Sequence, residues 1–244
     1  MEGSVAAFIQ RRRGATVTHA VLPSRLTVEL LGPVVARKDG AEVSIGGPVD
    51  RAVLGLLALR AGERVPVGDL LAGAYGGVPR DSARRALQTA VWRLRRALGD
   101  GLIVSDHGGY RLDIEPVDCD ACGLRQATVA ARVAKQSGDI TGAIAHLSSA
   151  LRLWRGHNPD LPARAADAID DVVAHAVEEW AGLLLATGRP AEALDHLDRI
   201  GARDRHPRLS ELRAEAKRRW VPSRRWQCET PSLPISAGCW PVAR

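Results

Sequence analysis

The stretch SARRALQTAVWRLRRALG, Ser82–Gly99, carries five arginines among eight small or aliphatic residues and closes on a glycine. Plotted at about 100° per residue, its apolar side chains fall on one half of a helix and its polar side chains on the other half. The apolar half comprises Ala83, Ala86, Leu87, Ala90, Val91, Leu94, Ala97 and Leu98. The polar half comprises Arg84, Arg85, Gln88, Thr89, Trp92, Arg93, Arg95 and Arg96. The pattern predicts an amphipathic helix over 82–98, with Asp81 or Ser82 as N-cap and Gly99 as its stop.

The polar half of this helix contains no acidic residue. Solvated helix faces usually interleave glutamate with lysine or arginine, because ion pairs between neighbouring turns stabilise the helix. Here the cations repel one another, and Arg84 and Arg85 lie near the positive end of the helix dipole. A bound polyanion would remove this electrostatic cost, whereas water would leave it. The stretch therefore favours nucleic-acid binding, with a solvated surface as the alternative.

Positive charge is concentrated on this one element. The chain of 244 residues has a net charge of +6. Residues 80–96 hold six arginines and one aspartate, whereas the rest of 26–117 has a net charge of −4. Residues 118–220 balance 15 basic against 15 acidic residues. A focused charge of this kind is typical of a groove-binding surface.

The segments around the arginine-rich stretch predict a small α+β unit. Upstream, LTVELL, VVAR and EVSI predict an antiparallel meander, and two helices follow Pro48 and Val65. Downstream, LIVSDHGGYRLDI predicts two strands around a turn. Two helices, a cationic third helix and a hairpin form the order of a winged helix-turn-helix. In that arrangement the third helix enters the major groove, and the hairpin, with His107 and Tyr110, contacts the adjacent backbone or minor groove.

The second half of the chain predicts helical repeats. Strand signals vanish between Cys119 and Trp220, and GDITGAIAHLSSAL (Gly138–Leu151) aligns with GRPAEALDHLDRI (Gly188–Ile200). An amphipathic segment precedes each copy, which is typical of tetratricopeptide-like helical hairpins. The spacing of the copies exceeds the usual ~34 residues. We therefore expect residues 155–170 to be an inserted connection.

The predicted fold is an α+β winged helix-turn-helix followed by an all-α, tetratricopeptide-like domain. The predicted divisions are a disordered arm (1–25), a DNA-binding domain (26–117), a helical domain (118–220) and a disordered tail (221–244) rich in proline, serine and glycine. No stretch approaches the ~20 apolar residues of a membrane span, and no signal peptide is evident. The sequence thus predicts a cytoplasmic protein without a membrane partner.

Three motifs of the first half resemble one family. GPVDRAVLGLLALRAGERVPVGDLL, SARRALQTAVWRLRRALGDG and GGYRL are similar to the OmpR-type DNA-binding domain of the Streptomyces antibiotic regulatory proteins (SARP family). ALRLWRG (Ala150–Gly156) and the surrounding helices resemble the bacterial transcriptional activator domain that follows it. The helical half is shorter than is usual in that family, so we expect a C-terminally truncated domain whose last hairpin has an uncovered apolar face.

The resemblance implies a function and partners. It implies a transcription activator of secondary-metabolite (antibiotic) biosynthesis genes, located on the nucleoid. Such activators bind double-stranded DNA at direct repeats near promoters, as adjacent protomers forming a dimer on the DNA, and recruit RNA polymerase.

The sequence departs from the family at the recognition surface and the wing. Trp92 stands where such helices usually carry a small or basic residue; it either packs on a sugar or a thymine methyl group, or blocks close approach. Asp106 and His107 occupy the wing where relatives often carry arginine or threonine, and phosphates repel an acid.

The remaining candidate chemistry is a C-x-x-C pair, Cys119 and Cys122. A thioredoxin-type motif would follow a strand of a βαβ unit, and a zinc site needs two further ligands, for which Cys228 and Cys239 are too widely spaced. We expect reduced structural thiols, no catalytic residues, no metal and no cofactor, and hence no enzyme.

Two alternatives to the regulator are a tetratricopeptide-like interaction scaffold that binds no DNA and a small redox enzyme using the cysteine pair.

Overall fold

The computed structural model describes residues 25–76, 80–200 and 206–220. The predicted tail and all but the last residue of the predicted arm lie outside these ranges. The first described element is a three-stranded antiparallel sheet in the order β1-β2-β3, formed by β1 (Leu26–Glu29), β2 (Val35–Lys38) and β3 (Ala41–Val43). Lys38 opposes Leu26 in β1 and Ala41 in β3. The predicted meander is confirmed.

Three helices follow, as predicted: α1 (Pro48–Ala58), α2 (Val67–Ala74) and α3 (Arg80–Leu98). The expected N-cap of α3 was wrong. The helix begins at Arg80, so Asp81 and Ser82 lie in its first turn, where Asp81 complements the positive end of the helix dipole. The predicted stop is confirmed, because Gly99 has a φ of 111°, which a residue with a Cβ rarely adopts.

The buried face of α3 is narrower than the apolar half of its sequence. The buried residues are Ala83, Leu87, Ala90, Val91, Leu94 and Leu98. Ala86 and Ala97 are exposed, so their assignment to the core was wrong. The helices α1 and α2 pack along one stripe of α3, and alanines at the margins of that stripe remain in solvent at little cost.

The predicted hairpin consists of β5 (Ile103–Asp106) and β6 (Gly109–Leu112), with Gly108 in the turn at a φ of 78°. A further strand, β4 (Arg64–Pro66), joins it in the order β4-β6-β5. Sequence patterning missed β4 because three residues ending in proline show no measurable alternation. The three helices and this sheet complete a winged helix-turn-helix.

In its described part, the second half consists of helices and the segments that join them. Its helices are α4 (Asp120–Gln136), α5 (Ile140–Leu151), α6 (Ala163–Ala186), α7 (Pro190–Ile200) and α8 (Pro207–Arg219). The pairs α4–α5 and α6–α7 pack as hairpins. Gly138 and Gly188 have φ values of 85° and 74°, and both Ala143 and Ala193 are completely buried. The two predicted repeats are confirmed.

Two details of this half differ from expectation. The helix α6 begins at Ala163, so only residues 152–162 are irregular, not 155–170. The last hairpin does not expose the apolar face we expected, because α8 packs on both α6 and α7. Leu209, Leu212 and Ala216 of α8 are buried in that contact.

The two halves are joined by hydrogen bonds to the end of β1. Asp120 accepts from the backbone N–H groups of Leu30 at 2.5 Å and Leu31 at 3.1 Å. Asn158, in the irregular connection, donates to the Leu30 carbonyl at 2.9 Å. Arg155 donates its backbone N–H to the Leu31 carbonyl at 2.6 Å. Polar groups of both halves therefore satisfy one another across this joint, which fixes the winged helix against the helical repeats.

Candidate nucleic-acid interface

The outer face of α3 is a cationic surface. Its exposed residues are Arg84, Arg85, Gln88, Thr89, Trp92, Arg93 and Arg96. Within the described part of the chain, no carboxylate forms an ion pair with Arg84, Arg85 or Arg96. The predicted face is thus presented to solvent with most of its charge unneutralised, while the opposite stripe anchors the helix.

Trp92 lies in the middle of this surface and is 58% exposed. The guanidinium carbon of Arg96 lies 5.6 Å from the centre of its ring, within the range of a cation–π contact. Covering this exposed indole ring with a partner would remove apolar surface from water. The surface therefore offers a planar apolar group beside a cation, which suits a sugar or a base edge.

Arg93 is held by a buried acid that sequence reasoning missed. Its Nε and Nη2 atoms donate to the two carboxylate oxygens of Asp50, each at 2.8 Å. Asp50 lies in the first turn of α1 and is 1% exposed, whereas the Arg93 side chain is 48% exposed. The hydrogen bonds to Asp50 raise the pKa of the Arg93 guanidinium. In sequence, Asp50 is indistinguishable from an acid that complements a helix dipole.

Two other predicted residues of α3 are engaged within the protein. Arg95 is half-buried and donates to the Ile103 carbonyl at 2.8 Å and to the Ser105 hydroxyl at 2.9 Å, which ties α3 to β5. The Thr89 hydroxyl donates to the Arg85 carbonyl at 3.1 Å. Arg95 therefore has a fixed position at the base of the wing.

The wing carries charges of both signs. His107 is fully exposed at the turn, and its backbone N–H donates to the Asp106 carboxylate at 2.8 Å. This bond lowers the pKa of Asp106, so the wing keeps a negative charge. Arg64, which we did not predict, donates to the His107 carbonyl at 2.6 Å. Tyr110 is half-buried, packs on the core and opposes Ser105 in β5.

The cysteine pair lies at the start of α4, away from this face. Cys119 and Cys122 are buried free thiols. A hydrogen bond from Cys119, helped by Arg125, lowers the pKa of Cys122 to about 6, whereas the same pairing and burial raise the pKa of Cys119.

Within residues 25–76, 80–200 and 206–220, no three His, Cys, Asp or Glu side chains are placed to hold a metal ion. In the same ranges, no helix combines the length and apolar character needed to span a bilayer.

Comparison with known proteins gives consistent matches. The family profile of the bacterial transcriptional activator domain matches residues 119–219. Regulatory protein DnrI of Streptomyces peucetius is 32% identical over 208 residues, which cover 78% of this chain and 75% of DnrI. Regulatory protein AfsR of Streptomyces coelicolor is 34% identical over 157 residues, which cover 64% of this chain but only 16% of AfsR. The chain thus spans a small part of that longer relative.

The fold is also similar to that of a solved regulator. Mycobacterium tuberculosis EmbR, in a complex with a low-affinity phosphopeptide, superposes with a TM-score of 0.66 at 27% sequence identity. The match covers 80% of this chain and 55% of that chain. The similarity therefore includes both the winged-helix half and the helical half.

Proposed function

Because this chain belongs to the SARP family of transcriptional regulators, we propose that it binds double-stranded DNA and activates antibiotic-biosynthesis genes. One observation carries the proposal: α3 exposes Arg84, Arg85 and Arg96 without acidic partners in the described part of the chain, while its opposite stripe is locked into the core. Such a surface has an unfavourable self-energy in water, and duplex phosphates lower it.

We assign different roles to the residues of this face. Gln88 and Arg85, on the central part of the face, read base edges, since glutamine pairs with adenine and arginine with guanine in the major groove. Arg84 and Arg96 contact phosphates. Trp92 packs on a sugar or a thymine methyl group. The helix is held by its buried stripe, so these groups are presented in one register.

Arg93 and the wing have supporting roles. Asp50 holds Arg93 by two of its guanidinium nitrogens and leaves Nη1 for the DNA, so the carboxylate orients the donor. We assign to His107, which is fully exposed at the turn, a contact with the DNA backbone. Asp106 beside it weakens that contact. Tyr110, being half-buried, supports the wing from below.

The partners follow from the family. We propose that adjacent protomers bind direct repeats near a promoter, that the helical half contacts RNA polymerase, and that the protein resides on the nucleoid in the cytoplasm. The joint at Leu30 and Asn158 supports this division of labour, since it holds the helical half in a fixed position relative to the recognition helix.

Footprinting of the full chain on the upstream regions beside its own gene identifies the operator, and fluorescence anisotropy then measures affinity for operator and scrambled duplexes. We expect Gln88→Ala to weaken operator binding by ~1–3 kcal/mol with little effect on scrambled DNA. Arg84→Ala weakens both equally and reduces the salt slope by about 0.9. Arg164→Ala, on α6, is the matched control and changes neither.

Two outcomes contradict the proposal. If no duplex is retarded at low salt, the chain is better described as a tetratricopeptide-like scaffold. If Arg164→Ala impairs binding as much as Arg84→Ala, the contact is not made by α3.

A further inference from the structure

A cavity of about 210 Å³ lies where the end of α1 meets α4 and α6. Its walls are mainly apolar and come from both halves of the protein: Leu31 and Leu59 from the winged-helix half, and Leu124, Ile169 and Val172 from the helical half. A dry apolar cavity of ~150 Å³ is enough to hold benzene. This cavity is therefore large enough for a small organic molecule and offers few groups that would hold ordered water.

Two arginines mark the open side of this cavity. Arg60 and Arg125 both line it and both have exposed side chains. Arg125 is positioned by its Nη2 atom, which donates to the Leu59 carbonyl at 2.8 Å and to the Cys122 sulfur at 3.1 Å. Its Nε and Nη1 donors make no hydrogen bond within the described part of the chain. The guanidinium is thus fixed in place with unused donors.

Two cations, Arg60 and Arg125, lie at this opening, and Arg125 also contacts the Cys122 thiolate through Nη2. Among the described residues, no carboxylate lies within ion-pair distance of Arg125. Arg60 pairs with Asp69 at 3.1 Å, but both side chains are half exposed, and exposed pairs of this kind are weak. An apolar cavity with a cationic edge is complementary to a molecule that has an apolar body and an anionic head.

We propose that this cavity binds a small amphipathic monocarboxylate. Its hydrocarbon chain or ring, of about six to nine carbon atoms judged against the ~150 Å³ benzene cavity, fills the space among Leu59, Leu124 and Ile169. Its carboxylate accepts hydrogen bonds from Arg125 and Arg60. Because the walls come from both halves of the chain, the bound molecule stabilises their joint by mass action.

Isothermal titration calorimetry and thermal unfolding of the full chain, without DNA, test this site with octanoate, octanol and octylamine. We expect saturable binding of octanoate with one site per chain and a rising Tm. Octanol binds at least tenfold more weakly, because it lacks the charge, and octylamine does not bind. Absence of DNA makes the result independent of the proposed function.

Variants separate the two parts of the site. Arg125→Gln weakens octanoate binding at least tenfold and leaves octanol unchanged, while Lys135→Gln, which removes the same charge at the far end of α4, has no effect. Ala168→Phe, at the exposed rim of the cavity, abolishes octanoate binding with an unchanged circular dichroism spectrum. Equal affinity for octanoate and octanol, equal effects of the two charge variants, or undiminished binding by Ala168→Phe would each overturn the proposal.

Discussion

The substitution Asp50→Asn tests how the buried acid controls the recognition helix. In the wild-type protein the Asp50 carboxylate accepts two hydrogen bonds from Arg93 and offsets its charge. Asparagine keeps the shape and one acceptor oxygen but carries no charge. The outer face of α3 therefore gains one unit of positive charge, and Arg93 loses one of the two bonds that fix its orientation.

The expected magnitude follows from counterion release. One more neutralised phosphate steepens the dependence of log affinity on log salt by about 0.9, so raising salt from about 50 to about 200 mM reduces affinity about 3.5-fold more than in the wild type. An Arg93 guanidinium that has lost its orientation also no longer directs Nη1 at the DNA. We expect the preference for operator over scrambled duplex to fall by up to about fivefold, since one nitrogen contributes no more than the lower end of the ~1–3 kcal/mol of a bidentate base contact.

The assay is fluorescence anisotropy with operator and scrambled duplexes across that range of salt, after circular dichroism has verified the fold. The matched control is Glu192→Gln on α7, which also removes one negative charge and breaks an ion pair with an arginine, Arg189, but lies in the other half. The reasoning is refuted if Asp50→Asn leaves both slope and preference unchanged, or if Glu192→Gln changes them equally.

Three further predictions concern stability and ionisation. Asn158→Ala lowers the free energy of unfolding by about 3 kcal/mol, because three hydrogen bonds of ~1 kcal/mol each are lost at a buried site. A decrease of less than about 1 kcal/mol, measured by urea unfolding, would contradict this. Ala90→Gln lowers the free energy of unfolding by roughly 3 kcal/mol, through overpacking and an unpaired amide. Ala86→Gln, at an exposed position of α3, changes it by less than about 0.5 kcal/mol. Equal effects of the two substitutions in calorimetry would mean that Ala86 is buried as well. Arg125→Gln raises the pKa of the Cys122 thiol above about 6, since a cation that stabilises the thiolate is removed. The stability linked to this thiolate is lost in the wild type as pH falls through about 6 and is lost at higher pH in the variant. An unshifted ultraviolet titration of the thiolate would disprove the role of Arg125.

Local spacing in the sequence determined most of the architecture. The positions of Leu87, Val91, Leu94 and Leu98 specify one stripe of a helix, whatever that stripe packs against, because side chains three and four residues apart always share a face. Gly138 and Ala143, repeated as Gly188 and Ala193, predicted the two helical hairpins from local spacing in the same way. The cationic face was visible for the same reason, since it lies within a single helix.

The tertiary structure decided what those side chains touch. Asp50 and Arg93 are 43 residues apart, so no periodicity links them, and only the packing of α1 on α3 makes this arginine of the predicted DNA-binding face a donor held by a carboxylate. The exposure of Ala86, the addition of β4 to the wing and the cavity beside Arg125 likewise depend on which elements meet. Contacts between distant segments depend on packing geometry and desolvation, and a one-dimensional pattern carries neither.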